Sequence, residues 1–139
     1  MIDFQTEGVR LPDLDYSRVE RWLGAVAVDH GRRVGNLSYL FCDDNYILEQ
    51  NNKFLGHDYY TDIITFDYSR GDKVSGDMMI SLDTVATNAE KVGESYDREL
   101  KRVIVHGLLH LCGINDKGPG EREIMEAAEN KALVMYETI

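Results

Sequence analysis

The chemistry-bearing segment of this chain is His106-Gly-Leu-Leu-His110-Leu-Cys-Gly113-Ile-Asn-Asp116. Histidines four positions apart on a helix lie on one face, one turn apart, where both imidazoles can share an ion. Leu100, Val103, Ile104, Val105, Leu108, Leu109 and Leu111 make this predicted helix apolar nearly all round, hence buried. Imidazoles in such surroundings need partners, because an unpaired buried polar group is costly. Gly113 accepts the left-handed conformation that ends a helix and reverses the chain. That reversal brings Asp116 back toward the rings. Two imidazoles, one carboxylate and room for water are the outline of a catalytic zinc site. One absence matters as much. Zinc peptidases of this outline carry glutamate directly after the first histidine as general base. Here that position is Gly107, so a peptidase mechanism loses its proton acceptor.

The elements that must position these groups are readable from periodicity. Residues 1–6 suit a short strand. Asp15-Tyr-Ser precedes Val19, Trp22, Leu23, Val26 and Ala27 at helical spacing, ending near His30-Gly31. Residues 34–42 alternate as a strand, and Asp43-Asp44 caps a helix running to Leu55-Gly56. Residues 62–68 and 77–81 predict two strands joined through a Ser69–Asp72 turn. Asp83 is expected to cap a helix through Val92-Gly93, and Tyr96 or Asp97 to start the histidine helix. Pro12 and Pro119 are placed at helix starts. The last helix is read with Ile124, Ala127, Ala128, Ala132 and Met135 on its inner side. Three or four strands and about five helices, not strictly alternating, predict an α+β fold: one domain over residues 1–139, a small mixed β-sheet packed with helices.

Composition sets the limits. A chain of 139 residues holds one domain with a real core. The 25 acids exceed the 15 bases, a net charge of −10. The surplus is spread along the chain: residues 1–60 hold 10 acids and 6 bases, 61–105 hold 9 and 6, and 106–139 hold 6 and 3. There is no basic arm of the kind that drives nonspecific nucleic-acid binding. Cys42 and Cys112 sit among apolar residues and read as buried thiols. The first residues lack a basic and apolar leader, and no segment approaches a membrane span, so a cytoplasmic protein is expected.

His106-Gly-x-Leu-His110-Leu-x-Gly113 resembles the YbeY family of metal-dependent endoribonucleases of ribosomal RNA maturation, whose pattern is HGxLHLxGYDH. Thr61-Asp62-Ile-Ile-Thr-Phe66 is similar to the family's TDVLSF strand, and Gly76-Asp77-Met-Met-Ile-Ser81 to its GDIxIS strand. The resemblance covers roughly residues 35–135. It implies a metal helix packed on the sheet of an α+β domain. It implies one zinc ion held at three positions, here His106, His110 and, replacing a third histidine, Asp116. It implies single-strand cleavage in ribosomal RNA maturation and ribosome quality control, with ribosomal RNA and ribosomal particles or proteins as partners and no DNA or membrane. The family's arginine before its TD strand falls on Leu55, which cannot give a bidentate phosphate contact. Lys53 or His57 from the same loop are the candidate substitutes. Tyr59 and Tyr60 are candidates for base stacking. Arg98 and Arg102 continue the row leading into His106 and form a candidate cationic approach for phosphate. The alternatives are a ribosome-assembly factor with a structural metal, a metallohydrolase of another substrate, and a non-haem iron oxygenase, which shares the two-histidine, one-carboxylate set.

Overall fold

The computed structural model describes residues 1–57 and 61–139. The elements run β1 (Ile2–Thr6), α1 (Tyr16–Asp29), β2 (Arg33–Cys42), α2 (Asp44–Leu55), β3 (Ile63–Asp67), β4 (Lys73–Ser81), α3 (Leu82–Val92), α4 (Tyr96–Leu111) and α5 (Glu121–Tyr136). The sheet order is β1-β2-β4-β3. β1, β2 and β4 are mutually parallel, and β3 closes the far edge antiparallel to β4. This is the mixed sheet and α+β class expected, and β4 begins at Lys73 rather than residue 77.

Local chemistry explains most boundaries. Asp15 accepts from the Arg18 amide and Asp43 from the Tyr46 amide, each satisfying an orphan donor of a first helical turn. Gly56 and Gly93 end α2 and α3 in the left-handed conformation. The cap of α3 is Ser81, the last residue of β4, not Asp83. Asp83 lies in the first turn, where its charge suits the helix dipole, and its carboxylate accepts the Asp44 amide of the neighbouring α2. Pro12 sits in the connection before α1, where its carbonyl accepts the Tyr16 hydroxyl, and α5 starts after Gly120.

The core is one cluster between the sheet and α1, α4 and α5, with a smaller one of Cys42, Ile47 and Ile64. Two buried polar tips tie the layers. Tyr39 of β2 donates to the Ile104 carbonyl of α4 at 2.8 Å, and Trp22 of α1 donates to the Ala132 carbonyl of α5 at 2.6 Å. Both cysteines are buried and free, and burial pushes their thiols up, Cys42 to about 12 and Cys112 to about 11.

The inner face of α5 is the expected one at Ala128, Ala132 and Met135, which pack on the core, and differs at the other two positions. Met125, Glu129, Ala132, Leu133 and Tyr136 point inward, while Ile124 and Ala127 are exposed. Glu129 is an interior residue bonded to α4, which a reading of apolar residues alone left out.

The close packing of α4 on the sheet explains two glycines. A Cβ at Gly107 would stand 3.0 Å from both the Ile63 Cδ1 and the Met78 Cγ atoms, so this position has no room for a longer side chain. A Cβ at Gly76 would stand 2.6 Å from the Phe66 carbonyl oxygen and 3.1 Å from Leu111. Gly76→Ala should therefore destabilise the protein by about 1–3 kcal/mol, the usual cost of overpacking. Urea unfolding with an unchanged m-value checks this; an unchanged midpoint would show that β3 and α4 shift freely.

Candidate active site

α4 carries His106 and His110, half-buried in a helix whose other faces are core. The helix ends as expected: Gly113, with φ 98°, donates to the His110 carbonyl, and Ile114 donates to the Leu109 carbonyl. The following loop returns Asp116 to α4, where its Oδ2 lies 3.4 Å from His106 Nε2. Histidine and aspartate thus meet across the turn that Gly113 makes.

The other nitrogen of His106 finds a partner that the sequence reading missed. Glu129 Oε2 of α5 lies 2.7 Å from His106 Nδ1. A carboxylate only accepts, so Nδ1 carries the hydrogen and the Nε2 lone pair of the neutral ring faces the cleft. Arg102 donates to the other Glu129 oxygen at 3.0 Å and to Asn130 Oδ1 at 2.9 Å. The candidate phosphate cation is therefore engaged in orienting Glu129. Arg98 pairs with Glu94 at 3.4 Å. The signal for Glu129 was present: an acid four residues after Met125 and three before Ala132, both buried.

Burial works against a charge on His106. The Glu129 hydrogen bond and the charges of Glu129, Asp116 and Asp62 outweigh it, so the His106 pKa lies above 6.5. Asp62, just before β3, is raised by burial, with His106 and backbone N–H groups pulling the other way.

His106, His110 and Asp116 line a cleft of about 230 Å³ with Leu55, His57, Asp62 and Lys117. His57 is thus brought to the site. Lys53 is exposed outside the cleft lining, its ammonium 5.3 Å from the Phe54 ring. Tyr59 and Tyr60 lie outside the described residues. Lys117 is the one lysine or arginine lining this cleft among the described residues. A second cavity of about 480 Å³ on the Arg102 side is acidic, lined by Asp62, Glu94, Glu99, Asp116, Glu126 and Glu129 with Arg102 and Arg122. No cluster of three or more His, Cys, Asp or Glu side chains arranged for a metal ion occurs among the described residues. The donor chemistry at His106 nevertheless suits a divalent cation: a lone pair fixed outward by a carboxylate behind it, an acid opposite, and a second imidazole one turn on.

A small mixed sheet backed by a histidine-bearing helix, with a cleft at its turn, defines an α+β domain. The family model for Endoribonuclease YbeY matches residues 2–137. Endoribonuclease YbeY of Phocaeicola vulgatus is 64% identical over 97% of this chain and 98% of its own length. That of Bacteroides thetaiotaomicron is 62% identical over 96% and 98%. The solution structure of a Thermotoga maritima protein aligns with a TM-score of 0.69 at 25% identity, covering 98% of this chain and 89% of that one. The chain belongs to the Endoribonuclease YbeY family.

The Glu129 contact yields a prediction in chelator. A histidine whose folded pKa is raised stabilises the fold below its unfolded value of about 6.5, and that contribution is lost as pH rises through the folded value. Glu129→Gln should move the His106 titration, followed by NMR, to lower pH and shrink the stability gained as pH falls from the folded value toward about 6.5. An unmoved titration would show that Glu129 does not set this protonation.

Proposed function

We propose that this chain is a zinc-dependent endoribonuclease that cuts single-stranded RNA in ribosomal RNA maturation, within the cytoplasm and in contact with ribosomal particles or proteins. The observation that carries this reading is the line Glu129–His106–Asp116, in which one imidazole is held from behind at 2.7 Å and faces a carboxylate at 3.4 Å on the wall of a cleft. His106 Nε2, His110 and Asp116 would hold the ion. It would supply a Lewis acid that polarises a phosphoryl oxygen and acidifies a water.

The chain's own residues do the rest. Arg102 locks Glu129, and Glu129 fixes the tautomer and orientation of His106, which limits the rearrangement needed when substrate arrives. Lys117 brings an ammonium to the cleft, where a scissile phosphate needs a counter-charge. Leu55 and Ile63 give the same cleft its apolar wall. The surplus of acids suits weak binding to naked RNA and delivery by other ribosomal components. Among the described residues no helix is long and apolar enough to cross a membrane.

Leu55 favours a second reading. It places an aliphatic side chain, 45% exposed, in the cleft wall where the resemblance expects arginine. That suits a ribosome-assembly factor with a structural metal and little turnover.

Metal content and cleavage of a labelled single-stranded RNA separate the readings. The wild-type chain should retain close to one zinc, cleave the RNA and lose activity to chelator. His110→Ala should lose both metal and cleavage by roughly 10- to 100-fold or more, as for loss of metal-site support. Bound zinc with no cleavage would favour the assembly factor, and equal cleavage by wild type and His110→Ala would refute this site.

A further inference from the structure

Three cavities meet at Asp62. Two are the histidine cleft and the acidic cavity on the Arg102 side. The third, about 460 Å³, opens between Thr61-Asp62 and α3. Its α3 wall is Thr84, Thr87, Asn88 and Lys91, a spacing that places all four on one face of the helix. The core-facing residues of α3 are Val85 and Ala89, so this polar row is a separate face, turned to the cavity.

The row is chemically open at its far end. Asp44 Oδ1 is engaged by the Ser81 and Thr84 hydroxyls, both at 2.6 Å, and Thr87 donates to the Asp83 carbonyl at 3.0 Å. Asn88 is half-buried in the wall, and among the described residues its amide has no hydrogen bond. Lys91 is exposed and among the described residues has no ion pair. An amide and an ammonium spaced along a groove are what a sugar–phosphate backbone uses: a donor and acceptor for the ribose hydroxyl, and a cation for phosphate.

A polyanion leaving the histidine cleft has two ways past Asp62. One crosses six carboxylates against two arginines, of which Arg102 is already held by Glu129 and Asn130. The other crosses two acids, of which Asp44 already accepts two hydroxyls, and ends on a lysine that has no ion pair among the described residues. Repulsion disfavours the first route. We propose that single-stranded RNA bound at the histidine cleft passes over Thr61 and Asp62 and lies along α3, with Asn88 on a ribose hydroxyl and Lys91 on a phosphate. This inference rests on the ribonuclease reading above.

The test is the KM for a single-stranded RNA of about 12 nucleotides, long enough to span a groove of this kind, and for a trinucleotide. One phosphate contact to a single strand contributes a salt exponent of about 0.7, a factor of roughly five at 0.1 M salt. Lys91→Gln should raise KM about five-fold on the long RNA with kcat unchanged, lower the salt slope by about 0.7, and leave the trinucleotide unaffected. Asn88→Ala should raise KM on the long RNA in the same way. Arg122→Gln, in the wall of the acidic cavity, should change nothing. Cleavage by wild type with unaltered KM in Lys91→Gln and Asn88→Ala would overturn this inference alone, as would a raised KM in Arg122→Gln instead. Absence of RNA cleavage by the wild-type chain would overturn the functional reading and this inference with it.

Discussion

The buried hydrogen bond between Glu129 and His106 is the interaction on which the rest of the site depends. Glu129 is only 8% exposed, and a carboxylate so placed is tolerable because Arg102 and His106 each take one of its oxygens. The same bond docks α5 on α4, sets the rotation of α5, and turns the free nitrogen of His106 outward. Removing it would leave a charge or a ring nitrogen uncompensated in the interior, which is the expensive case for buried polar groups. A single contact therefore links the packing of two helices to the chemistry of the cleft.

The second constraint is steric. α4 lies so close to the sheet that Gly107 abuts Ile63 and Met78, and Gly76 lies under Leu111. This closeness puts the histidine row at the edge of β3, beside Asp62, and gives the cleft its floor. It also gives a physical reason for the missing glutamate after His106: a side chain there would point into the sheet rather than into the cleft. The other polar groups of the cleft come from the segments beside α4, among them Asp62, Asp116 and Lys117.

Much of the fold was legible because its signals are local. Alternation in residues 34–42, the caps at Asp15 and Asp43, and the apolar surround of His106 each report on a few neighbouring residues. That His106, His110 and Asp116 come to one cleft was legible for the same reason, since the spacing and Gly113 lie within one helix and its turn. What escaped depends on distance in sequence. Glu129 is 23 residues from His106, and hydrophobic periodicity treats an acid as a surface residue, so α5 was read with Ile124 inward. Arg102 was taken as free cation because its partners, Glu129 and Asn130, lie on another helix. Lys53 and His57 share one helix end, and the orientation of each relative to the cleft is a tertiary fact. Ser81 rather than Asp83 caps α3 because the strand runs directly into the helix.

The most direct measurement is a crystal of the zinc-loaded protein with anomalous scattering recorded at the zinc edge. The account predicts one peak in the histidine cleft, with His106 Nε2, His110 and Asp116 about 2.0–2.2 Å from it and Glu129 still bonded to His106 Nδ1. A peak elsewhere, or Asp116 turned away from an ion held by the histidines alone, would contradict it.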